Sequence, residues 1–143
     1  SSAKDIPIEP LYKDPLLCVL PKGARGDTSK PYMDIGEMRA HQFVTQRECT
    51  DADIQNFLKE NSLRIQSNYH VVDDLSTVAL VAKGFGICLM PEMVMRDIPY
   101  EVDCYPVRPD ACRIIGIAAL HPEFMAPAVR TLYNHILETC RIQ

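Results

Sequence analysis

The sequence has no apolar run long enough to cross a membrane. The longest, residues 78–90, is interrupted by Lys83 and two glycines, whereas a spanning helix needs roughly 20 continuous apolar residues. Residues 1–10 have neither the basic region nor the apolar region of a secretory signal peptide. We therefore expect a cytoplasmic protein with no membrane partner.

An excess of positive charge is also missing. The 143 residues carry 15 Lys and Arg against 19 Asp and Glu, a formal net charge of -4. A protein that binds nucleic acid directly concentrates basic residues on one face. The chain is 47% hydrophobic and 24% charged, as in ordinary globular domains. These numbers predict one folded domain that makes no base contacts of its own.

Motifs for metals, cofactors and common catalytic sites are absent as well. The 6 cysteines form no C-x-x-C pair, and the 4 histidines are scattered, so neither a structural zinc site nor any other metal site is expected. The glycines of Lys83–Gly86 follow a predicted helix and precede a predicted strand, the reverse of the order in a dinucleotide fingerprint. With no G-x-S-x-G, Walker loop or H-E-x-x-H present, we expect no cofactor, no catalytic residue and no enzyme.

The residues that are present alternate between strand and helix patterns. Continuous apolar runs at Leu16–Leu20 and 86–90 predict strands buried on both faces. Apolar residues at helical spacing predict helices, of which the last, behind Pro127, is the most regular. The fold class is therefore α/β, with a mostly parallel central sheet. Further helices are predicted near Met38, at 51–61, at 75–83 and from 91 to about 96, and further strands at 42–45, 69–72, 102–107 and 113–120. Asp34-x-x-Glu37 resembles a capping box before Met38. Gly84 is expected to end the helix at 75–83, and Gly86 to allow close approach of helix and sheet.

The loop 45–50 is the first candidate binding site. It joins a predicted strand to a predicted helix, and ligands of open α/β sheets bind beyond the carboxyl ends of strands, next to helix N-termini. The Thr45 hydroxyl, the Gln46 amide and the Arg47 guanidinium would suit a small anion such as a carboxylate. The alternative is a solvated loop in which Thr50 only caps its own helix, and the sequence favours neither.

Cys49 lies in the same loop and raises a separate possibility. The start of a helix favours a thiolate. Glu48, Asp51 and Asp53 instead favour the neutral thiol, and Arg47 is the only adjacent cation. The charge pattern therefore indicates an ordinary cysteine, with a reactive thiol as the alternative.

The loop 72–77 is the second candidate site. Its acidic residues, Asp73 and Asp74, would repel an anion, but they could orient a hydroxyl or an amine of a ligand. N-capping of the next helix is the simpler interpretation and accounts for both Asp74 and Ser76.

The segment LVAKGFGICLMPE, residues 80–92, resembles the signature of LysR-type transcriptional regulators. PLYKDPLLCVLP at 10–21 and RIIGIA at 113–118 resemble other parts of the same effector-binding domain. The resemblance implies a fold like type 2 periplasmic binding proteins, here as one three-layer α/β/α lobe. It divides the chain into an incoming linker or hinge segment at 1–15, the second lobe of the effector-binding domain at 16–119, and a closing helix at 120–143 that normally packs on the first lobe.

In that family, a small effector binds between two lobes and a winged helix-turn-helix domain binds DNA. The resemblance therefore implies a non-catalytic, effector-sensing domain whose contact with DNA is made by a winged helix-turn-helix that this sequence does not contain. Matching positions in the family's second lobe assign effector contacts to Thr45, Gln46, Arg47, Cys49 and Ser76. Cys49 also matches the reactive cysteine of the family's peroxide sensors, but Leu58 stands where their resolving cysteine lies.

The sequence leaves two other functions open, and it also predicts a partner. A thiol-based redox sensor would use Cys49, and a solute-binding protein of the same fold would need an export signal. The apolar stripe of the last helix, which a larger protein would normally cover, predicts a homodimer or a higher homo-oligomer.

Overall fold

The structure is a computed structural model that describes residues 6–26, 29–46, 52–65 and 69–141, with the backbone alone for Gln46. The chain forms two compact units. One consists of residues 15–113, and the other of the described residues within 1–14 and 114–143. Each unit is considered by itself below.

The described residues contain seven strands interspersed with five α-helices, which confirms the predicted α/β class. The strands are β1 (Ile8–Pro21), β2 (Met33–Asp34), β3 (Thr45–Gln46), β4 (His70–Val71), β5 (Cys88–Pro91), β6 (Val102–Arg108) and β7 (Cys112–Ala118). The helices are α1 (Ile35–Arg39), α2 (Ala52–Glu60), α3 (Asp74–Ala82), α4 (Glu92–Met95) and α5 (Pro127–Cys140). Every predicted helix and strand has a counterpart among them. The bounds differ by a few residues, except that β1 begins eight residues before the predicted strand.

The sheet is mixed, and β1 is its antiparallel member. Its strand order is β2-β6-β1-β5, and β7 also pairs with β1. β1 runs antiparallel to both β5 and β6, whereas β2 runs parallel to β6. β3 and β4 pair in parallel, and a parallel bridge from Phe43 to Ile87 aligns them with β5. Strands β2 to β6 therefore share one direction, as predicted.

The predicted parallel sheet needs one correction, at the strand containing Leu16–Leu20. This run is central and buried, as expected, but it runs against its neighbours. An apolar run is buried on both faces whichever way the strand points, so the burial pattern carries no information about direction. β1 also begins at Ile8, within the segment predicted to be an incoming linker. The first residues of β1 are exposed, and their sequence shows no regular apolar pattern from which a strand could be predicted.

The core of the larger unit lies on both faces of the sheet. Alternate residues of β1 point to opposite sides, so Cys18 packs with Met38 of α1 and Phe57 of α2, whereas Val19 packs with Val78 and Val81 of α3. Two helices thus cover each face, α1 and α2 on one side and α3 and α4 on the other. This is the three-layer α/β/α arrangement predicted for the lobe.

Two local predictions are confirmed in atomic detail. The Asp34 carboxylate accepts from the Glu37 amide at 2.9 Å, and the Glu37 carboxylate accepts from the Asp34 amide at 3.2 Å, which completes the predicted capping box. Gly84 has a φ of +86°, as expected of a residue that ends a helix. Gly86 permits a close approach, although to the backbone of Gln42 instead of to a helix.

The smaller unit exposes its apolar side chains. No described side chain of α5 is buried. Val129 and Leu132 are 53% and 59% exposed, and Leu120 and Phe124 are more exposed still. The division of the chain at residues 15 and 119 stays a prediction.

Candidate functional site

The carboxyl ends of the parallel strands bring Thr45 and loop 72–77 to one edge of the sheet. β3 ends at Gln46 and β4 ends at Val71, and the two strands are paired in register, Thr45 with His70 and Gln46 with Val71. Helix α3 follows β4 after two residues. Loops 45–50 and 72–77 therefore begin side by side.

Thr45 is half-buried and contacts its neighbour strand with its hydroxyl. Its Oγ1 lies 3.5 Å from the carbonyl oxygen of Tyr69 and 3.5 Å from Nδ1 of His70. Its amide donates to the same Tyr69 carbonyl at 3.3 Å. Among the described residues, the Tyr69 carbonyl oxygen and Nδ1 of His70 are thus the two possible acceptors of the Thr45 hydroxyl proton.

The start of α3 is capped by Asp73, two residues after β4. One oxygen of the Asp73 carboxylate accepts from the Ser76 amide at 2.8 Å, and the other accepts from the Ser76 hydroxyl at 2.9 Å. These two bonds, the backbone bond first, hold the pKa of Asp73 below its usual value. The sequence offers both Asp73 and Asp74 as N-caps. The structure confirms Asp73, whereas Asp74 is the first helical residue and does not cap.

A narrow cavity of about 30 Å³ opens at this edge between α2, α3 and the strands, on the order of two water-sized spheres. Thr45 and the buried Thr77 are its two hydroxyl-bearing residues. The Thr77 hydroxyl donates to the carbonyl oxygen of Asp73 at 2.8 Å. The remaining lining is mostly apolar and comes from Phe43, Val44, Ile54, Gln55, Leu58, Ile65, Cys88, Leu89 and Met90.

The five predicted site residues divide into two groups. Thr45 lines the cavity, and Ser76 lies next to the cavity residue Thr77 at the start of α3. Arg47, Cys49 and the side chain of Gln46 lie outside the described residues. The assignment of all five as effector contacts stays a prediction.

Sequence reasoning missed Thr77 and His70. Thr77 stands four residues after Asp73, the spacing at which a threonine hydroxyl reaches a backbone carbonyl in a helix. That spacing could have marked it as a residue of this edge. The position of His70 beside Thr45 depends on the pairing register of β3 and β4. Strands of two residues are too short for their register to be predicted from the sequence.

The apolar surroundings of Cys18, Cys88 and Cys140 predict that most cysteines are core residues. Among the five described cysteines, this is confirmed for Cys18 and Cys88 and wrong for Cys140, which is exposed like Cys104 and Cys112. Burial raises the pKa of the Cys18 thiol to about 12 and raises that of Cys88 as well. Leu58, nine residues after Cys49, is buried at 6% exposure and lines the cavity. Within the described ranges, no group of three or more His, Cys, Asp or Glu side chains could hold a metal ion.

In the described part of the chain, no helix has both the length and the apolar character that a membrane crossing requires.

Comparison with known proteins identifies this arrangement. The family described as LysR substrate binding domain matches residues 2–141. A probable HTH-type transcriptional regulator, LrrA of Synechococcus elongatus, is 27% identical over 92 residues. That match spans 64% of this chain but only 31% of LrrA, so the chain corresponds to about a third of that relative.

Solved structures agree on the fold. The effector binding domain of QuiR, in complex with shikimate, superposes with a TM-score of 0.77 at 20% identity, over 98% of this chain and 68% of that one. The regulatory domain of Synechocystis CcmR, in complex with 2-PG, gives 0.75 at 11% identity, over 98% and 70%. At these identities the likeness concerns the fold, which is that of type 2 periplasmic binding proteins. The family match, by contrast, covers nearly the whole sequence, and this chain belongs to the LysR substrate-binding domain family.

Proposed function

We propose that this chain is the effector-sensing part of a LysR-type transcriptional regulator and that a small organic molecule binds at the edge formed by Thr45, Thr77 and the start of α3. The observation that carries the proposal is the in-register pairing of β3 with β4, which brings Thr45 next to the start of α3 at the carboxyl ends of the strands. The cavity between them is small, with room for about two waters. Ligands of open α/β sheets bind at such edges.

The chemistry of this edge supports binding without catalysis. A threonine hydroxyl beside a histidine nitrogen resembles a nucleophile with its base. In a catalytic triad a third group orients the base, yet among the described residues the His70 imidazole has no polar contact other than the one to Thr45. The pair therefore suits ligand recognition better than group transfer, and we propose that the protein is not an enzyme.

The effector would act by shifting a population. A ligand that binds one arrangement of the subunits more tightly than another favours that arrangement. In the whole protein, we propose, the arrangement sets how winged helix-turn-helix domains meet DNA in the cytoplasm. The homo-oligomer is supported by the exposed apolar side chains of α5, Val129 and Leu132.

A carboxylate remains the proposed anionic group of the effector. Its proposed partners are the Gln46 amide and the Arg47 guanidinium, because a forked guanidinium binds carboxylates with two parallel hydrogen bonds. The start of α3 is a poor alternative site for the carboxylate of the effector. The Asp73 carboxylate already accepts from the Ser76 amide there, and its negative charge would repel a second carboxylate.

Thermal-shift screening of small carboxylic acids tests the proposal. A ligand present at 100 times its Kd stabilises the folded state by about 2.7 kcal/mol, a rise of several degrees in Tm. We expect at least one acid to raise the Tm of the chain, and Arg47→Ala to abolish the rise. Arg141→Ala, at the exposed end of α5, should leave it unchanged. A panel that moves no Tm, or an equal loss in both variants, would contradict the proposal.

A further inference from the structure

The hydroxyl groups at the proposed effector edge share one property, the direction of their protons. Three hydroxyls lie there, on Thr45, Ser76 and Thr77. Each hydroxyl group has one proton to donate and two lone pairs that accept. Which of these faces a ligand depends on where the protein takes the proton.

Well-formed bonds within the protein take two of the three protons. The Thr77 hydroxyl donates to the Asp73 carbonyl at 2.8 Å, and the Ser76 hydroxyl donates to the Asp73 carboxylate at 2.9 Å. Both distances are those of well-formed bonds. The protons of these two groups are therefore directed into the start of α3.

The contacts of Thr45 are longer, at the outer limit of hydrogen-bond distance, but for either neutral form of His70 its Oγ1 keeps a lone pair. If Nδ1 of His70 carries no proton, the Thr45 hydroxyl has two acceptors, that nitrogen and the Tyr69 carbonyl, each at 3.5 Å. If Nδ1 carries the proton, His70 donates to Thr45, whose own proton goes to the Tyr69 carbonyl. In both cases a lone pair of Oγ1 remains for a ligand.

We infer that the edge formed by Thr45, Ser76 and Thr77 recognises hydroxyl groups of the effector, so that the effector is a hydroxylated small molecule. This inference rests on the proposed function and narrows its ligand class. Lone pairs accept hydrogen bonds from a ligand hydroxyl, whereas they repel a carboxylate oxygen, and the Asp73 carboxylate adds to that repulsion.

A charged amine is the other donor that such an edge could take. The cavity that Thr45 and Thr77 share is lined mainly by apolar side chains, among them Phe43, Leu58 and Met90. Bringing an ammonium group out of water against such a lining costs far more than bringing a hydroxyl. The apolar lining of this small cavity therefore favours the hydroxyl over the amine.

Two acids with the same ring test the inference, 3,4,5-trihydroxybenzoate and benzoate. They share the ring and the carboxylate and differ in three hydroxyls. We expect the trihydroxy acid to bind the chain about tenfold or more tightly than benzoate in a calorimetric titration, since one good hydrogen bond to a desolvated partner is worth about that factor. Thr45→Val should reduce the ratio severalfold, and Thr45→Ser should preserve it.

Thr131→Val provides the matched control. The Thr131 hydroxyl also donates to a backbone carbonyl, that of Pro127 at 2.9 Å, but on α5. We expect the ratio of affinities to be unchanged in this variant. Benzoate binding as tightly as the trihydroxy acid, or a ratio that Thr45→Val and Ser76→Ala both leave intact, would overturn the inference but not the proposed function. Failure of both acids to bind would count against the proposed function and against the inference with it.

Discussion

Asp73 and Ser76 form a closed pair at the start of α3, in which one carboxylate oxygen accepts from the Ser76 amide and the other from the Ser76 hydroxyl. The pair ends one of the two site loops and begins a helix whose next residue, Thr77, lines the cavity. It fixes the N-terminus of that helix and takes up a hydroxyl proton that a ligand would otherwise meet. Stability and recognition thus depend on the same carboxylate.

The first prediction concerns the pH dependence of stability. The pKa of Asp73 is lower in the folded state than its ordinary value near 3.9, because the Ser76 bonds favour the charged form. Its contribution is therefore complete above about pH 4 and is lost as the pH falls toward the folded-state pKa. We expect Asp73→Asn to lower the Tm at pH 6.5 and the gap to the unmodified protein to narrow as the pH falls below about 4.

Asp97→Asn controls for the change in net charge, because Asp97 is exposed and lies after α4. Melting curves of the three proteins at several pH values make the comparison. A gap that stays constant down to pH 3 would show that the charged Asp73 cap does not stabilise the fold.

The second prediction concerns the thiols. Burial raises the pKa values of Cys18 and Cys88, so almost none of either thiol is ionised near pH 8. We expect Ellman's reagent to modify the exposed Cys112 and Cys140 rapidly and the two buried cysteines only after unfolding. Quantifying each cysteine by mass spectrometry checks this.

The same assay, with mild peroxide in place of the reagent, tests the redox alternative. We expect Cys49 to stay unmodified while the fold is intact. Selective oxidation of Cys49 would instead favour a thiol-based sensor over an effector sensor.

The third prediction concerns Gly86, which stands where the backbone before β3 meets β5. A Cβ on this residue would lie 2.4 Å from the carbonyl oxygen of Gln42, and its φ of +146° disfavours any side chain. We expect Gly86→Ala to lower the free energy of unfolding by at least about 2 kcal/mol, measured by urea denaturation. Gly26→Ala meets nothing within 4 Å and should change it by less than about 1 kcal/mol. Equal costs at both positions would contradict this reading of the contact.

The fourth prediction concerns association through α5. Leu132 is 59% exposed on the apolar stripe of this helix, and stripes of this kind drive association. We expect a dimer in sedimentation velocity at tens of micromolar, a concentration typical of moderate affinities. Leu132→Glu should yield monomers, whereas Glu138→Gln on the same helix should not. A monomer before any substitution would contradict the predicted homodimer.

Sequence patterns predicted the elements well because each depends on local chemistry. The capping box of Asp34 and Glu37, the glycine that ends α3 and the apolar period of α5 are all short-range features. Sequence patterns did not predict the direction of β1. Its pairing partners lie far along the chain, and an apolar run is equally compatible with a parallel or an antiparallel strand.

The candidate site shows the same division. Thr45 and Ser76 could be proposed from their places in strand–helix loops. The contact of Thr45 with His70 could not, because it depends on a ladder of only two residue pairs. The direction of the hydroxyl protons also had to come from three-dimensional contacts, since no sequence pattern states which carbonyl a threonine meets.

We expect a small effector to bind at the edge formed by Thr45 and the start of α3. Amide chemical-shift mapping with the carboxylic acid that raises the Tm most in the thermal-shift screen locates the binding site residue by residue. We predict saturable shifts concentrated at residues 44–46 and 73–77, with α5 unaffected. Saturable shifts concentrated elsewhere, or no saturable shift at all, would contradict the account.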